Sequence, residues 1–418
     1  MASHNRLRMV LLAVVLVSLC GGLVAEPPAR AQEEPTMERP LLLAHYMPWY
    51  QTPSFTGYWG WHWTMDHFDP SQEDAEGRPE IASQYLPLTG LYDSQDPALL
   101  EYQVLLMKLS GIDGVIVDWY GAENFRDYAV LNAATNRLFE YTQRAGLLFA
   151  LCYEDQTVRH MITDGHIDEA DALAQGQAEM QYAQEQWFGQ ESYVRYAGQP
   201  LLFVFGPQYF RQPDQWETLF ADLPETPALI TLDGHMDWAA LSSYPWPPMS
   251  MAGGIELAPA VLESYLDLFY RNARRRDLVV GSAFPAFHDI YAEAGVRSSY
   301  GYIDPRDGDT LRQTFDAALA ANADIVQIVT WNDYGEGTII EPTEETGYQY
   351  LEIVQQYRAD LDTAGFAFTP DDLRLPLRLF ELRRAHAGDE AINARLDEAF
   401  AAIIAGDLTT ATAILDEF

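Results

Sequence analysis

At residues 114–119 the chain reads Gly114-Val115-Ile116-Val117-Asp118-Trp119, an apolar run that ends in a carboxylate and an aromatic ring. A continuous apolar run, rather than an alternating one, is typical of a strand buried on both faces of a parallel sheet. Other runs of this kind, the sixth in chain order being a poor one, lie at 41–46, 147–153, 200–205, 228–232, 251–255, 278–283 and 325–330. The sequence therefore predicts eight strands.

Amphipathic stretches separate several of these runs. They lie at 97–109, 129–145, 259–276 and 310–321, and the second is stopped by Gly146. Strands alternating with helices over this length predict an α/β fold, a (β/α)8 TIM barrel spanning 38–368. A doubly wound open sheet is the alternative, but no Gly-rich phosphate loop follows any strand.

The two ends of the chain differ from this central region. Residues 371–418 carry three helical patterns, at 373–387, 390–405 and 408–418, which predict a short C-terminal helical appendage. The N-terminus has the features of a secretory signal peptide over 1–31: two arginines, an apolar run at 9–19 and Ala29-Arg30-Ala31 as the cleavage site. Cleavage after Ala25 and an uncleaved anchor are the alternatives. The sequence thus predicts an exported protein, periplasmic, cell-surface or extracellular.

Charge and composition limit the classes of partner that the protein is expected to bind. The net charge is −37, from 62 acidic and 25 basic residues, which argues against nucleic acid and anionic membranes. No run after the signal reaches membrane length. The aromatic content of 13% suits a cleft that binds an oligosaccharide or polysaccharide, although aromatic residues also fill cores. The sequence offers no basis for naming a protein partner.

Carboxylates and aromatic side chains recur just past the predicted strands, where the active sites of (β/α)8 barrels lie. The first strand leads to His45, Tyr46 and Trp49, and the second to Asp118, Trp119 and Tyr120. The loop after the first strand is aromatic and contains Trp61. We predict that the following residues contact substrate: Glu154, Tyr46, Trp49, Asp118, Trp119, Tyr120, Trp331, Asn332, His45 and Trp61.

Asp333 and Glu336 follow the last strand and are the predicted catalytic pair. Glycosidic cleavage normally needs two carboxyl groups, one to protonate the departing oxygen and one to act as nucleophile or base. Gly335 and Gly337 allow a tight turn that aims both carboxylates into one cleft. An acidic surface turn, or a helix N-cap at Asp333, is the alternative interpretation of the same spacing.

The sequence predicts neither a metal nor another cofactor. His62, Asp66, His67 and Asp69 match no strong metal-binding pattern, and neither His-Glu-x-x-His nor paired cysteines occur. Cys152 is the only cysteine after the predicted signal peptide, which excludes an intrachain disulfide in the mature chain. We expect it to be buried rather than catalytic.

The segment Val329-Thr330-Trp331-Asn332-Asp333-Tyr334-Gly335-Glu336-Gly337-Thr338-Ile339-Ile340-Glu341-Pro342 resembles the signature of glycoside hydrolase families 99 and 71. Family 99 comprises endo-α-mannosidases and endo-α-mannanases, and family 71 comprises α-1,3-glucanases. Further stretches resemble family 99 blocks: His45-Tyr46-Met47-Pro48-Trp49-Tyr50, then 90–97, 111–120 and 151–154. The likeness runs from about residue 40 to 360 and is looser between 160 and 280.

The resemblance implies a (β/α)8 barrel and metal-independent hydrolysis of α-glycosidic bonds. It makes Glu336 the general acid/base, and Asp333 the residue that assists the sugar's own 2-hydroxyl through an anhydro-sugar intermediate. Family 99 has Glu at the position of Asp333, and Trp-His where this chain has Tyr334-Gly335. An inverting mechanism, as in family 71, therefore stays open. In that case Glu154 is a substrate contact or a supporting carboxylate.

Two classes of function follow from these observations. The first is a glycoside hydrolase acting on α-linked glycans, of endo-α-mannosidase, mannanase or α-glucanase type. The second is a non-catalytic carbohydrate-binding barrel of an exported glycan-processing system. The presence of both carboxylates together with Glu154 favours the enzyme.

Overall fold

A computed structural model describes residues 39–236 and 239–418, so the predicted signal peptide lies outside the described residues. Its framework is a barrel of eight parallel strands, all but the sixth at the predicted places. We number them β1 (Leu41–Tyr46), β2 (Gly114–Trp119), β3 (Leu148–Tyr153), β4 (Gln199–Val204), β5 (Ala228–Leu232), β6 (Ser242–Tyr244), β7 (Val280–Ala283) and β8 (Ile325–Ile328).

The strands pair in sequential order from β1 to β6, and β8 pairs with both β1 and β7. Side chains join the remaining neighbours, β6 and β7. The Ser242 hydroxyl donates to the Leu278 carbonyl at 2.8 Å, and the Ser282 hydroxyl donates to the Pro245 carbonyl at 2.6 Å. The predicted (β/α)8 barrel is confirmed.

The predicted sixth strand at 251–255 is wrong. Met249–Met251 is a short 3-10 turn, and Met251 and Ile255 are 55% and 70% exposed, so this apolar run lies on the surface. The true sixth strand is the polar Ser242–Tyr244. Its Ser242 hydroxyl is satisfied by a backbone carbonyl rather than by water, so the strand is buried without being apolar.

Twelve helices surround or extend the barrel in the described part of the chain. They are α1 (Trp61–Thr64), α2 (Pro97–Ser110), α3 (Tyr128–Ala145), α4 (Gln156–Thr163), α5 (Ala172–Ala183), α6 (Pro213–Phe220), α7 (Pro259–Ala273), α8 (Asp309–Ala320), α9 (Gln349–Leu361), α10 (Leu375–Ala385), α11 (Glu390–Ile404) and α12 (Leu408–Leu415). Among the helices of residues 39–236 and 239–418, none is long and apolar enough to cross a membrane.

Helix α2 shows how the local sequence sets these boundaries. The Asp96 carboxylate accepts the Ala98 N–H at 3.0 Å, and Pro97 occupies the first turn, where its missing N–H costs nothing. The helix ends at Gly111, whose φ of +80° is a left-handed conformation that favours glycine. This well-defined helix is also the surface on which the C-terminal segment packs.

The C-terminal helices contact the outside of the barrel through α2. Arg383 on α10 donates to the Glu101 carboxylate at 3.0 Å, and Arg384 pairs with Asp96. The rings of Tyr102 and Phe380 lie 5.9 Å apart across the same contact. The C-terminal helices thus cover a barrel helix.

Candidate active site

A cleft of about 300 Å³ opens where the strands end at their carboxyl side. It receives side chains from the ends of six different strands and from the loops that follow them. These include His45, Asp118, Glu154, Phe205, Trp246 and the turn containing Asp333 and Glu336. This is the position at which (β/α)8 barrels carry their active sites.

The turn after β8 holds Asp333 and Glu336 in a fixed arrangement. The Asp333 N–H donates to the Thr330 hydroxyl at 2.8 Å, and the Asp333 carboxylate accepts the Glu336 N–H at 3.0 Å. A side chain at Gly335 would meet the Met65 methyl group at 2.9 Å. Asp333 thus has the local hydrogen bond of a capping residue and also lines the cleft.

Burial separates these two carboxyl groups from ordinary surface acids. It raises the pKa of Asp333 to about 6, against the hydrogen bonds from the backbone N–H groups of Glu336 and Gly335. It raises the pKa of Glu336 well above its usual range, and the nearby charge of Asp333 raises it further. The Tyr291 hydroxyl donates to Glu336 at 3.2 Å and opposes this rise.

Two more carboxyl groups line the cleft, at the ends of β2 and β3. Burial, followed by the charge of Asp333, raises the pKa of Asp118 well above its usual range. Burial and the charge of Asp118 do the same for Glu154, which accepts a 2.7 Å hydrogen bond from the Gln156 side chain. Among the described residues that line the cleft there is no lysine or arginine.

Aromatic rings and a neutral histidine form the rest of the wall. Trp49 stacks on His62 at 3.9 Å between ring centres, and Trp61 is 38% exposed beside them. Burial lowers the pKa of His45 to about 4, so its imidazole is neutral at physiological pH. The Trp246 ring meets it edge-on at 5.0 Å. Flat exposed faces of this kind suit the C–H faces of sugar rings.

Six of the ten predicted substrate contacts lie in the cleft, and they are His45, Trp49, Trp61, Asp118, Tyr120 and Glu154. Tyr46 and Trp119 do not, because successive strand residues point to opposite faces. Tyr46 donates instead to Gln103 at 2.7 Å. Trp119 donates to Asn132 on α3 at 3.0 Å. Both rings therefore pack between the barrel and its helices.

Trp331 and Asn332 are also placed away from the cleft. Trp331 is fully buried. Its backbone N–H donates to the His45 carbonyl, which continues the strand pairing. The Asn332 side chain accepts the Met47 N–H at 2.8 Å and donates to the Met47 carbonyl at 3.0 Å. These two residues fix the β1 and β8 loops to each other rather than facing a ligand.

Sequence reasoning missed several residues that line the cleft: Gln156, Gln208, Trp246, Tyr291 and Tyr300. Trp246 lies just past β6, so the correct sixth strand would have revealed it. Tyr291 follows the two-residue strand Phe287–His288, which pairs with Tyr302–Ile303. No pattern in the sequence indicates that Tyr291 lies at the cleft.

Behind the turn that carries Asp333 and Glu336, Glu341 is the centre of a buried hydrogen-bond network. It accepts Gln103 at 2.7 Å and the hydroxyls of Tyr92 and Tyr334 at 2.8 Å each. Tyr92 in turn accepts Asn332 at 3.1 Å. Burial raises the pKa of Glu341 to about 7, against these three hydrogen bonds. The network ties the turn after β8 to α2 and to the loop that carries Tyr92.

Comparison with known proteins shows which proteins this chain is similar to. Residues 38–228 match the family model of glycosyl hydrolase family 99, and 267–369 match a domain of unknown function. The mouse glycoprotein endo-α-1,2-mannosidase is 22% identical over 353 residues, covering 75% of this chain and 71% of that one. The rat protein of the same name is 33% identical over 111 residues, 24% of each chain.

Solved structures agree in fold. The family 99 endo-α-mannosidase of Bacteroides thetaiotaomicron has a TM-score of 0.56 and 19% identity, covering 76% of this chain and 96% of that one. The family model over residues 38–228 and the mouse and rat relatives point to glycoside hydrolase family 99, and the solved structure shares the barrel fold. This chain is similar to the proteins of glycoside hydrolase family 99.

Proposed function

We propose that the protein is a hydrolase of α-linked glycans, of endo-α-mannosidase or mannanase type, with Glu336 and Asp333 as its catalytic pair. The observation that carries this proposal is that Asp333, which is buried, and Glu336, which is half-buried, lie on one fixed turn and both have a raised pKa. The charge of Asp333 adds to the effect of burial on Glu336. A like charge nearby separates the titration of two carboxyl groups, so that one can act as acid and the other as base at one pH. The mouse and rat relatives, named endo-α-1,2-mannosidases, support the substrate class.

Glu336 is the acid. Burial and the charge of Asp333 raise its pKa well above the usual range, which favours the protonated form that an acid needs. It donates this proton to the departing glycosidic oxygen as the bond to the anomeric carbon breaks. On the route through an anhydro-sugar intermediate, it accepts a proton from the attacking water in the second half of the reaction.

Asp333 is the base, and it is a carboxylate above about pH 6. By the family 99 resemblance it takes the proton of the sugar's 2-hydroxyl, whose oxygen then attacks the anomeric carbon. By the family 71 resemblance it takes the proton of a water molecule that attacks directly. The first route retains the anomeric configuration and the second inverts it. NMR of the first-formed product therefore separates them.

The remaining cleft residues hold the sugar. Trp49, Trp61 and Tyr120 offer aromatic faces, while Glu154 and Asp118 offer oxygens to its hydroxyl groups. Neither hydrolytic route uses these side chains in bond breaking. We assign to them the binding of the glycan.

The test is oligosaccharide release from α-mannans, α-1,3-glucan and other α-linked polysaccharides, with Glu336→Gln beside the wild type. We expect release by the wild type and a loss on the order of a hundredfold or more in the variant, because acid/base help is removed. Equal release by both proteins would refute the assignment of Glu336. Saturable glycan binding by both, without release, would favour the alternative of a non-catalytic carbohydrate-binding barrel.

We also propose that the protein is exported through the signal peptide at 1–31. The supporting observation is the sequence pattern of a basic start, an apolar run and Ala29-Arg30-Ala31. The test of export is the mass of the protein recovered from a host that cleaves secretory signal peptides. A mature chain that starts at Gln32 is expected, and a cytoplasmic chain of full length would refute it.

A further inference from the structure

Three potential metal ligands converge at the floor of the cleft, and the hydrolysis proposed above assigns no bond-breaking role to them. His45, Asp118 and Cys152 lie on the three adjacent strands β1, β2 and β3, and Asp118 and Cys152 are direct register partners. Their nearest nitrogen, oxygen and sulfur atoms all lie within 4.8 Å of one another. His45 and Asp118 also line the cleft, so the group borders it from below.

Two of the three side chains are buried with unsatisfied polar atoms. His45 Nε2 and Asp118 Oδ1 have no hydrogen-bond partner, although the two residues are only 1% and 3% exposed. A buried polar atom without a partner costs about 1–3 kcal/mol, so such atoms rarely persist without a reason. Two of them in one small group point to a ligand that satisfies both.

The histidine is oriented as a metal ligand requires. Its Nδ1 faces Gln327 Oε1 at 3.4 Å, and Gln327 is held in turn by a 2.9 Å bond to the Ser282 hydroxyl. An acceptor at this position favours the tautomer with the proton on Nδ1, which leaves the Nε2 lone pair free. Metal-binding histidines typically have an outer partner of this kind.

The charge of the cleft also favours a cation. Asp118, Glu154, Asp333 and Glu336 bring four carboxyl groups into one small volume. The described residues lining it include no basic side chain other than the buried His45 and the half-buried His62, whose pKa values desolvation lowers to about 4 and about 3. An ion at the floor would offset this charge without taking the place of the catalytic turn.

Against the sequence prediction of no metal, we propose that His45, Asp118 and Cys152 bind one Zn²⁺ ion at the floor of the cleft. Asp118 binds it through Oδ1, which leaves the second carboxylate oxygen for a glycan hydroxyl. A mixed nitrogen, oxygen and sulfur set is the one that Zn²⁺ prefers, at about 2.0–2.3 Å from each ligand. Two ligands on opposite sides of such an ion are at most about 4.4 Å apart, so small side-chain rotations bring the three atoms into range. Binding releases the thiol proton of Cys152 to solvent, and the open fourth position faces the cleft.

Cobalt is the direct probe, because a thiolate bound to Co²⁺ gives a near-ultraviolet charge-transfer band. Chelator-treated mature protein is titrated with Co²⁺ and then with Zn²⁺, in the absence of any glycan. We expect one equivalent of Co²⁺ to bind with this band, and Zn²⁺ to displace it. The result does not depend on the hydrolase proposal, because no turnover is measured.

Cys152→Ser should remove the band and weaken Zn²⁺ binding by about a hundredfold or more, since even an outer partner of a ligand contributes about 10–100-fold. Asp118→Asn is a second variant that keeps the thiol, and it should weaken binding while retaining the band. His67→Ala removes an exposed histidine of the neighbouring loop and should change neither. Urea unfolding of the metal-free proteins checks that each variant is folded.

Three results would overturn the proposal. One is the absence of the band in folded wild-type protein, in which case a water molecule or a sugar hydroxyl satisfies the same atoms. Another is equal Zn²⁺ affinity in the wild type and Cys152→Ser, which would place the ion elsewhere. The third is a band that His67→Ala abolishes, which would move the site to the neighbouring loop.

Discussion

Asp333→Asn should make the folded protein more stable at neutral pH while it removes most of the activity. The carboxyl group is 6% exposed, and burial raises its pKa from 3.8 to about 6. Holding the group charged in the folded state therefore costs about 3 kcal/mol above pH 6. Asparagine has no charge to bury, and its side-chain oxygen can still accept the Glu336 N–H, which is 3.0 Å from the present carboxylate.

The difference in stability between Asp333→Asn and the wild type depends on pH. Below about pH 4 the carboxyl group is protonated in both the folded and the unfolded chain, so the wild type bears no penalty. Between about pH 4 and 6 the unfolded chain loses its proton first, and the wild type becomes progressively less stable than the variant. Above pH 6 the difference is constant. We expect a gain of about 1–3 kcal/mol there, because the charges of neighbouring carboxyl groups are coupled to this one.

Urea unfolding at about pH 4, 6 and 8 measures this difference. Asp66→Asn is the matched control: Asp66 is exposed, lies in a neighbouring loop and has a φ of +55° that asparagine tolerates. Its effect should stay within about 0.5 kcal/mol at every pH. An Asp333→Asn gain that persists at pH 4, or a variant less stable than the wild type at pH 8, would refute the argument from burial.

Two further predictions concern turnover. The plot of kcat/KM against pH should have its acid limb near pH 6, because Asp333 must lose its proton to act as a base, and an acid limb near pH 4 would contradict the raised pKa. Glu341→Gln should lower kcat by between about tenfold and a hundredfold with little change in KM, since it places an amide donor against Gln103, Tyr92 and Tyr334 and misplaces the catalytic turn. Unchanged steady-state kinetics in the folded variant would show that this network does not position the turn.

Most of the barrel could be predicted because its strands are continuous apolar runs, which are typical of strands buried on both faces of a parallel sheet. The sixth strand could not, since Ser242 is buried through a side-chain bond to a carbonyl contributed by a distant residue. That partner is unknown until the chain has folded. A pattern based on hydrophobicity instead selected residues 251–255, four of which are exposed.

The alternation of side chains along each strand predicts which residues at the strand ends face the candidate site. His45, Asp118 and Glu154 face the cleft, while Tyr46 and Trp119 face the helices, because side chains alternate along a strand. Taking only every second residue at each strand end separates the residues that face the cleft from those that face the helices. The contribution of Tyr291 was out of reach, because it depends on how two loops pair: the Ile290 N–H donates to the Gly335 carbonyl at 3.0 Å.

The negative charge of the cleft connects stability, catalysis and the proposed ion. Four carboxyl groups lie there without a lysine or arginine in the described lining. Asp118, Glu154 and Asp333 are buried and Glu336 is half-buried, so their ionised forms destabilise the folded chain. The glycosidic transition state carries positive charge on the sugar ring, so it gains from the field that the folded state bears as a cost. A cation bound by Asp118, at the ends of β1, β2 and β3, reduces that cost. Glu336 keeps Asp333 as its neighbouring charge on the turn after β8, which is the arrangement that the proposed acid and base require.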